Sequence, residues 1–394
     1  MKPLATDQQI LTWLCVLPAK ENTSKWEKWA CIAFVMAWIV ILLIDILSGL
    51  MFVVKFISID FKGASIAIYA MIGCLIMANS MVVAFLLRHK IPPVYENLSA
   101  IYEKFKDEDS FRYLAQANNK SEWFWKMYIK FVLGGFPVII AVSSIGSVLV
   151  CFLLNGHLDV TQLFRPFRFI LPWDQSTLLG YFGEIIFIII SLEFYLVYNG
   201  VILLSFVSIC LHHQAFNKML RHSLRKLERP AENRNDREFL CKLIDFHNSI
   251  KSWFLETADI YSPHFVVELI GNMLLLSAFV FHLDQQFSTD FDIRFFVFLE
   301  KAALTVLTNL FVCCYLGKIA SESYEQMADC LYDYNWQELP MNLQKYFIII
   351  IANAQIPLSY HGYGIITLNL ETFCQLLRTV YTYYMMLKTL SSAE

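Results

Sequence analysis

Seven stretches of the chain stay apolar long enough to matter: residues 30–54, 64–87, 128–152, 183–210, 264–283, 295–317 and 368–390. A helix needs about 20 apolar residues to cross the hydrocarbon core of a bilayer. The pattern therefore predicts an all-α polytopic membrane protein with seven transmembrane helices. The last stretch is the least apolar, with Arg378, several threonines, Tyr381, Tyr383 and Tyr384. Within it Thr372, Gln375, Thr379, Thr382, Met386 and Thr389 recur at alternating steps of three and four, which places them on one seam of a helix. Phe373, Leu377, Val380, Tyr384 and Leu387 take the other side. A mostly polar seam should turn away from lipid. It can pack inside a bundle, or it can line water at an axis shared with copies of the same helix. The run of polar groups favours water, because an interhelical hydrogen bond in a dry bundle contributes only about 0.6–2 kcal/mol. Arg378 lies one position off the seam.

The stretches between spans are patterned too. Phe239, Leu240, Leu243, Ile244, Phe246, His247, Ile250, Trp253 and Phe254 recur at helical spacing, predicting an amphipathic cytoplasmic helix over 231–262. Pro230 and Asn233 mark its start, and Pro263 its junction with the membrane. Residues 318–332 read as a continuation of the sixth span. The apolar faces of these extensions need a cover, which predicts a packed layer outside the membrane. The long outside segment 153–182, with Pro166, Pro172, Trp173 and Asp174, can fold over the mouth of a pocket.

Charge sets the orientation. With the N-terminus cytoplasmic, 23 of the 31 Lys and Arg residues fall in inside segments and six in outside ones. The C-terminus is then extracellular, the reverse of a G-protein-coupled receptor. Asn22, Asn97 and Asn119 head glycosylation sequons, but all fall in cytoplasmic segments and should stay unmodified. Lys2, Lys20, Lys25 and Lys28 precede an apolar run starting at Ala30, so the first span should be an uncleaved anchor.

Composition agrees: the chain is 57% hydrophobic and 16% charged, against about a quarter charged in soluble domains. Its net charge of −3 and lack of a basic block argue against nucleic acid as a partner. The ten cysteines and nine histidines show no metal-site spacing, and neither a phosphate loop nor a nucleophile elbow is present, so no enzyme, cofactor or metal is expected. Asp45, Glu193, Glu268, Lys301 and Arg378 lie in spans, where each must face protein or water; an interhelical hydrogen bond is the first expectation for each.

The C-terminal third carries a resemblance. Tyr334-Asn-Trp336-Gln-Glu-Leu339-Pro340, Gln344-Lys345, Ala354-Gln355-Ile-Pro357, Gly362-Tyr-Gly364, Leu368-Asn-Leu370-Glu-Thr-Phe373 and Arg378-Thr-Val-Tyr381-Thr-Tyr-Tyr resemble, in order and spacing, the tail of insect odorant receptors. The Pro172-Trp-Asp segment and the orientation also fit. The chain lacks the extended second cytoplasmic loop of the family's co-receptor, so it resembles an odorant-tuning subunit. The resemblance implies an odorant-gated, non-selective cation channel subunit in a heterotetramer with the co-receptor, in the plasma membrane of olfactory neuron dendrites. It implies one division into 1–317 with six spans and the pocket, an intracellular anchor over 318–367, and a pore-lining seventh helix with a short tail over 368–394. Thr379, Thr382, Met386, Thr389 and Leu390 would line the pore. Met386 stands where the co-receptor has a smaller apolar residue, and Thr389 replaces a Gln there.

The family places its pocket in the outer halves of spans two, three, four and six. The candidates are Tyr69, Ile72 and Ile76; Ser143, Gly146, Ser147 and Val150; Phe187, Phe194, Tyr195 and Tyr198; and Phe295, Phe298 and Ala302. An aromatic and aliphatic box with one or two polar groups suits a small volatile. Ser143 and Gly146 match a Ser-x-x-Gly spacing of the family's pockets, and the same small residues also allow close helix packing. The alternatives are a gustatory-type channel, a seven-span receptor without a pore, and a transporter.

Overall fold

The apolar runs become helices that outlast them. In the computed structural model, which describes residues 5–13, 25–56, 61–87, 89–105, 108–130, 134–155, 159–167, 169–227, 236–288 and 291–392, eleven α-helices account for most of the chain. They are α1 (Ala5–Trp13), α2 (Lys25–Phe56), α3 (Phe61–Leu87), α4 (Ile91–Lys104), α5 (Glu108–Tyr128), α6 (Gly134–Asn155), α7 (Leu178–Leu227), α8 (Asp236–Ser288), α9 (Ile293–Tyr332), α10 (Met341–Ala354) and α11 (Leu370–Ser392). Asn22, Arg168, Pro230, Asn233 and the predicted helix start at residue 231 lie outside the described residues.

Among the described residues five helices are long and apolar enough to cross a membrane: α2, α3, α7, α8 and α9. The apolar part of α6, Pro137–Leu153, is shorter, and α11 is too polar to qualify by composition. The predicted third span, 128–152, starts at the last residue of α5 and takes in most of α6; residues 131–133 between them lie outside the described residues. Past Tyr128 the helix runs on as a π-helical turn at Ile129 and Lys130, and the described part of α6 opens with Gly134 and Gly135 and carries Pro137 inside it. Elsewhere predicted elements fuse. The 231–262 helix and the fifth span form one helix of 53 residues, with Pro263 inside it. At 1.5 Å per residue, α7 and α8 are each about 75–80 Å long, well over twice the hydrocarbon thickness. Their ends must project into water.

The surface matches this division. Ile39, Leu43, Leu47, Leu50 and Val54 of α2 and Val138, Val142, Ile145, Leu149 and Leu153 of α6 are exposed. Such a continuous apolar face needs lipid or protein against it. At the other end the projecting halves of α7, α8 and α9 pack with α4, α5 and α10 around a buried aromatic core. Trp253 Nε1 donates to the Val94 carbonyl at 3.0 Å, Tyr102 Oη meets His212 Nδ1 at 3.0 Å, and Tyr324 Oη meets His247 Nε2 at 3.1 Å. The Trp336 and Phe347 rings stack at 6.4 Å.

A short hairpin, β1 (His361–Gly362) and β2 (Ile366–Thr367), carries the chain from α10 to α11. Its turn places Tyr363 and Gly364 at φ 51° and 68°. Gly362 lies so close to α8 that a methyl there would collide with Val266 and press on the Ser262 carbonyl at 3.0 Å. The Gly-Tyr-Gly motif is thus a packing requirement.

Candidate functional site

A half-open apolar cavity of about 100 Å³ lies among α2, α3, α7, α8 and α9. α3 contributes Tyr69, Ala70, Gly73, Cys74 and Met77; α7 contributes Ile188, Ser191, Leu192, Tyr195 and Leu196. Leu275 and Phe279 come from α8, and Phe298, Ala302, Thr305 and Val306 from α9. Phe167 and Phe169 cover it from the segment between α6 and α7, and Asp45 of α2 reaches its wall.

That covering segment is held by polar contacts. The Ser147 hydroxyl accepts from the Phe164 amide at 2.8 Å and from Arg294 Nη1 at 2.7 Å. Tyr181 Oη donates to the Phe164 carbonyl at 2.9 Å, and Gln175 Nε2 to the Phe169 carbonyl at 3.1 Å. Arg165 pairs with the buried Glu184 at 3.1 Å. Phe167 meets Phe298 edge-on at 5.4 Å.

Of the fourteen residues predicted for the pocket, Tyr69, Tyr195, Phe298 and Ala302 line this cavity. The others lie around it. Phe295 stacks on Phe298. Phe194 and Tyr198 pack on Trp38 of α2. Phe187 faces Trp173, and Ile76 faces Gly271 of α8. Ile72 is half-buried against the larger core. On α6, Ser147 pins the cover, Ser143 is half-buried, Gly146 has open space where a side chain would be, and Val150 is exposed. Sequence reasoning missed Leu275 and Phe279, because α8 reads as a plain apolar span. It also missed Phe167, Phe169 and the meeting of Asp45 with Ser191. Asp45 itself carried a signal, as a carboxyl inside a span.

A buried polar chain crosses the bundle nearby. His264 Nε2 meets Glu268 Oε2 at 2.9 Å, Asn79 Nδ2 meets His264 Nδ1 at 3.2 Å, and Asn309 Nδ2 donates to Glu268 Oε1 at 2.7 Å and to Asn199 Oδ1 at 3.2 Å. It ties α3, α7, α8 and α9 together and gives Glu268 an interhelical partner in Asn309, beside His264 on its own helix.

On α11 the two predicted sides separate. Leu376 and Val380 are buried against α8 and α9, and Phe373 packs on Phe311 at 5.5 Å. Gln375, Thr382, Met386, Thr389 and Leu390 are exposed, with Met386 at 48% and Leu390 at 56%, and Thr379 is half-buried. The Thr379 and Thr382 hydroxyls donate to the Gln375 and Arg378 carbonyls at 3.0 and 3.1 Å. Near the end of the helix, Lys388 pairs with Asp284 of α8 at 2.8 Å.

Helices of this length and polarity, with a packed layer of helix ends beyond the apolar spans, define an all-helical, multi-span membrane protein. The profile of the family described as "7tm Odorant receptor" matches residues 60–381. The chain belongs to that family, whose members are ligand-gated membrane channels and not enzymes.

Among curated relatives, putative odorant receptor 85d of Drosophila melanogaster is 21% identical over 68% of this chain and 64% of its own length. Odorant receptor 85f of the same fly is 21% identical over 39% of this chain and 38% of its own. The matched segments thus span less than two thirds of these relatives. Among solved structures, the olfactory receptor OR5 of Machilis hrabei in complex with eugenol superposes with a TM-score of 0.74 at 16% identity, covering 98% of both chains. The same receptor without that ligand gives 0.72 over 96% of both.

Proposed function

We propose that this chain is the odorant-binding subunit of a ligand-gated, non-selective cation channel. The observation that carries this reading is the orientation of α11. Its apolar side is spent on α8 and α9, and its polar side faces away from its own bundle. A polar stripe cannot rest against hydrocarbon, so other subunits around an aqueous axis are its natural cover. In this reading seven helices span the membrane, with α1 and α10 on the cytoplasmic side and the end of α11 outside. The partner is the family's co-receptor, and the assembly a heterotetramer in the plasma membrane of olfactory neuron dendrites.

The cavity is the odorant site. The Machilis receptor holds eugenol, a small aromatic; an apolar cavity of about 150 Å³ holds one benzene. The cavity here therefore takes a ligand smaller than one ring as it stands, and a larger one only with movement of side chains such as Phe167 and Tyr195. α8 connects site to pore: Leu275 and Phe279 line the cavity, and Asp284 farther along the same helix holds Lys388 of α11. A ligand that binds more tightly when α8 and α11 have shifted opens the pore by that difference in affinity; one that binds both states equally opens nothing.

The test is whole-cell current evoked by volatiles, with and without the co-receptor, at confirmed surface expression. Current is expected with the co-receptor. Gly73 faces open space in the cavity wall, so Gly73→Leu should fill it and reduce the response at least tenfold without loss of assembly. Absence of current in every combination would defeat the channel reading, and unchanged potency in Gly73→Leu would defeat the site.

A further inference from the structure

The cavity wall holds one carboxyl. Asp45 is 1% exposed, on a helix whose outer face is apolar. The Ser191 hydroxyl of α7 donates to its Oδ2. Its Oδ1 is buried and has no hydrogen-bond partner among the described residues. Both side chains line the cavity, and the rest of the wall is almost wholly apolar. A buried polar atom without a partner is rare and costly in native proteins. Asp45 belongs to the cavity wall, and a small shift of the wall side chains is what would bring a partner for this closed-off atom to it from the cavity.

The geometry points to Asp45 as the specificity-determining residue of the site, which reads a single oxygen atom on a small aliphatic or aromatic volatile. A lone carboxylate against hydrocarbon is unfavourable, and no cation among the described residues pairs with Asp45. The form facing the cavity is therefore the neutral acid. Ser191 holds its carbonyl oxygen, and the acid hydroxyl on Oδ1 donates into the cavity. The ligand class is a ketone, ester, aldehyde or alcohol, whose oxygen accepts that bond. A hydrocarbon of the same shape leaves the acid unpaired.

This inference rests on the cavity being the odorant site, and the test separates the two. Binding of butan-2-one, butan-2-ol, butan-2-amine and 2-methylbutane is measured on the purified full chain in lipid nanodiscs, from the rise in melting temperature with probe concentration. The four share a skeleton and differ in one group. Wild type should bind the two oxygenated probes about tenfold or more tighter than 2-methylbutane. Asp45→Leu should erase that margin and leave 2-methylbutane within about threefold of wild type. Asp45→Asn, whose amide can still donate, should keep most of it. If Asp45→Leu does not fold, Ser191→Val, which unpins the carboxyl, should reduce the margin at least threefold.

Four results would overturn the proposal: no margin in wild type, a margin kept in Asp45→Leu, an equal loss for all probes in Asp45→Leu, or tightest binding of the amine together with its loss in Asp45→Asn, which marks an ionised carboxylate. Gly73→Leu is the control on the site. If it leaves binding intact, the cavity reading itself fails. If it blocks binding while Asp45→Leu keeps the margin, only the anchor fails.

Discussion

Asp7 shows how one side chain is governed by its surroundings. It sits on α1, fully buried against α5 and α7, outside the spans. Trp125 Nε1 donates to its Oδ1 at 2.8 Å and Ser121 Oγ at 3.2 Å. Desolvation lifts its pKa to about 7, although Ser208, Trp125 and Ser121 pull the other way. The docked state therefore binds a proton that the undocked helix releases near its ordinary value of 3.8. Stability of the docked helix is full below that value and falls as pH rises toward about 7. Hydrogen exchange of residues 5–13, corrected for intrinsic rates, should show protection about tenfold or more higher at pH 5.5 than at pH 7.5. Asp7→Asn should flatten the dependence. Equal protection at both values in wild type would refute this account. Nothing along the chain announces Asp7, whose partners lie more than a hundred residues away.

Helices were legible from the sequence wherever apolar residues ran unbroken, because the cost of exposing them to water accumulates along the run. Their lengths were less legible. The spans over 183–210 and 264–283 are parts of α7 and α8, since amphipathic segments beyond the membrane bury their apolar side against one another and keep the helix going. The hairpin before α11 carries its own prediction. Gly362→Ala should lower stability by about 1–3 kcal/mol through overpacking against Val266. This would be read as a lower melting temperature of the purified protein. Gly73→Ala, with open space around it, should change that temperature little.

At the scale of the whole molecule, the proposed function asks for further subunits against α11. Thr382, Met386 and Leu390 of α11 are exposed and not covered by their own protomer. If copies of α11 face one axis, Thr382→Cys should form a disulfide between subunits under mild oxidation, seen as a dimer on a non-reducing gel. Only monomer, in a background with the exposed Cys374 and Cys241 replaced, would argue that the stripe is not shared. Thr382→Lys should lower cation conductance or shift the reversal potential.

The sequence alone determined the membrane class, the apolar spans, the two sides of α11 and, through the tail motifs, the resemblance to the odorant receptors. These follow from properties that add up locally: transfer cost along a helix, and the 3.6-residue repeat that sorts residues onto faces. Only the tertiary structure decided which faces meet. It put Ser147 under the cover and not in the cavity, brought α8 into the wall, and set Asp45 beside Ser191 across 146 positions of chain. Such contacts depend on how separate helices pack, and a one-dimensional pattern does not carry that information.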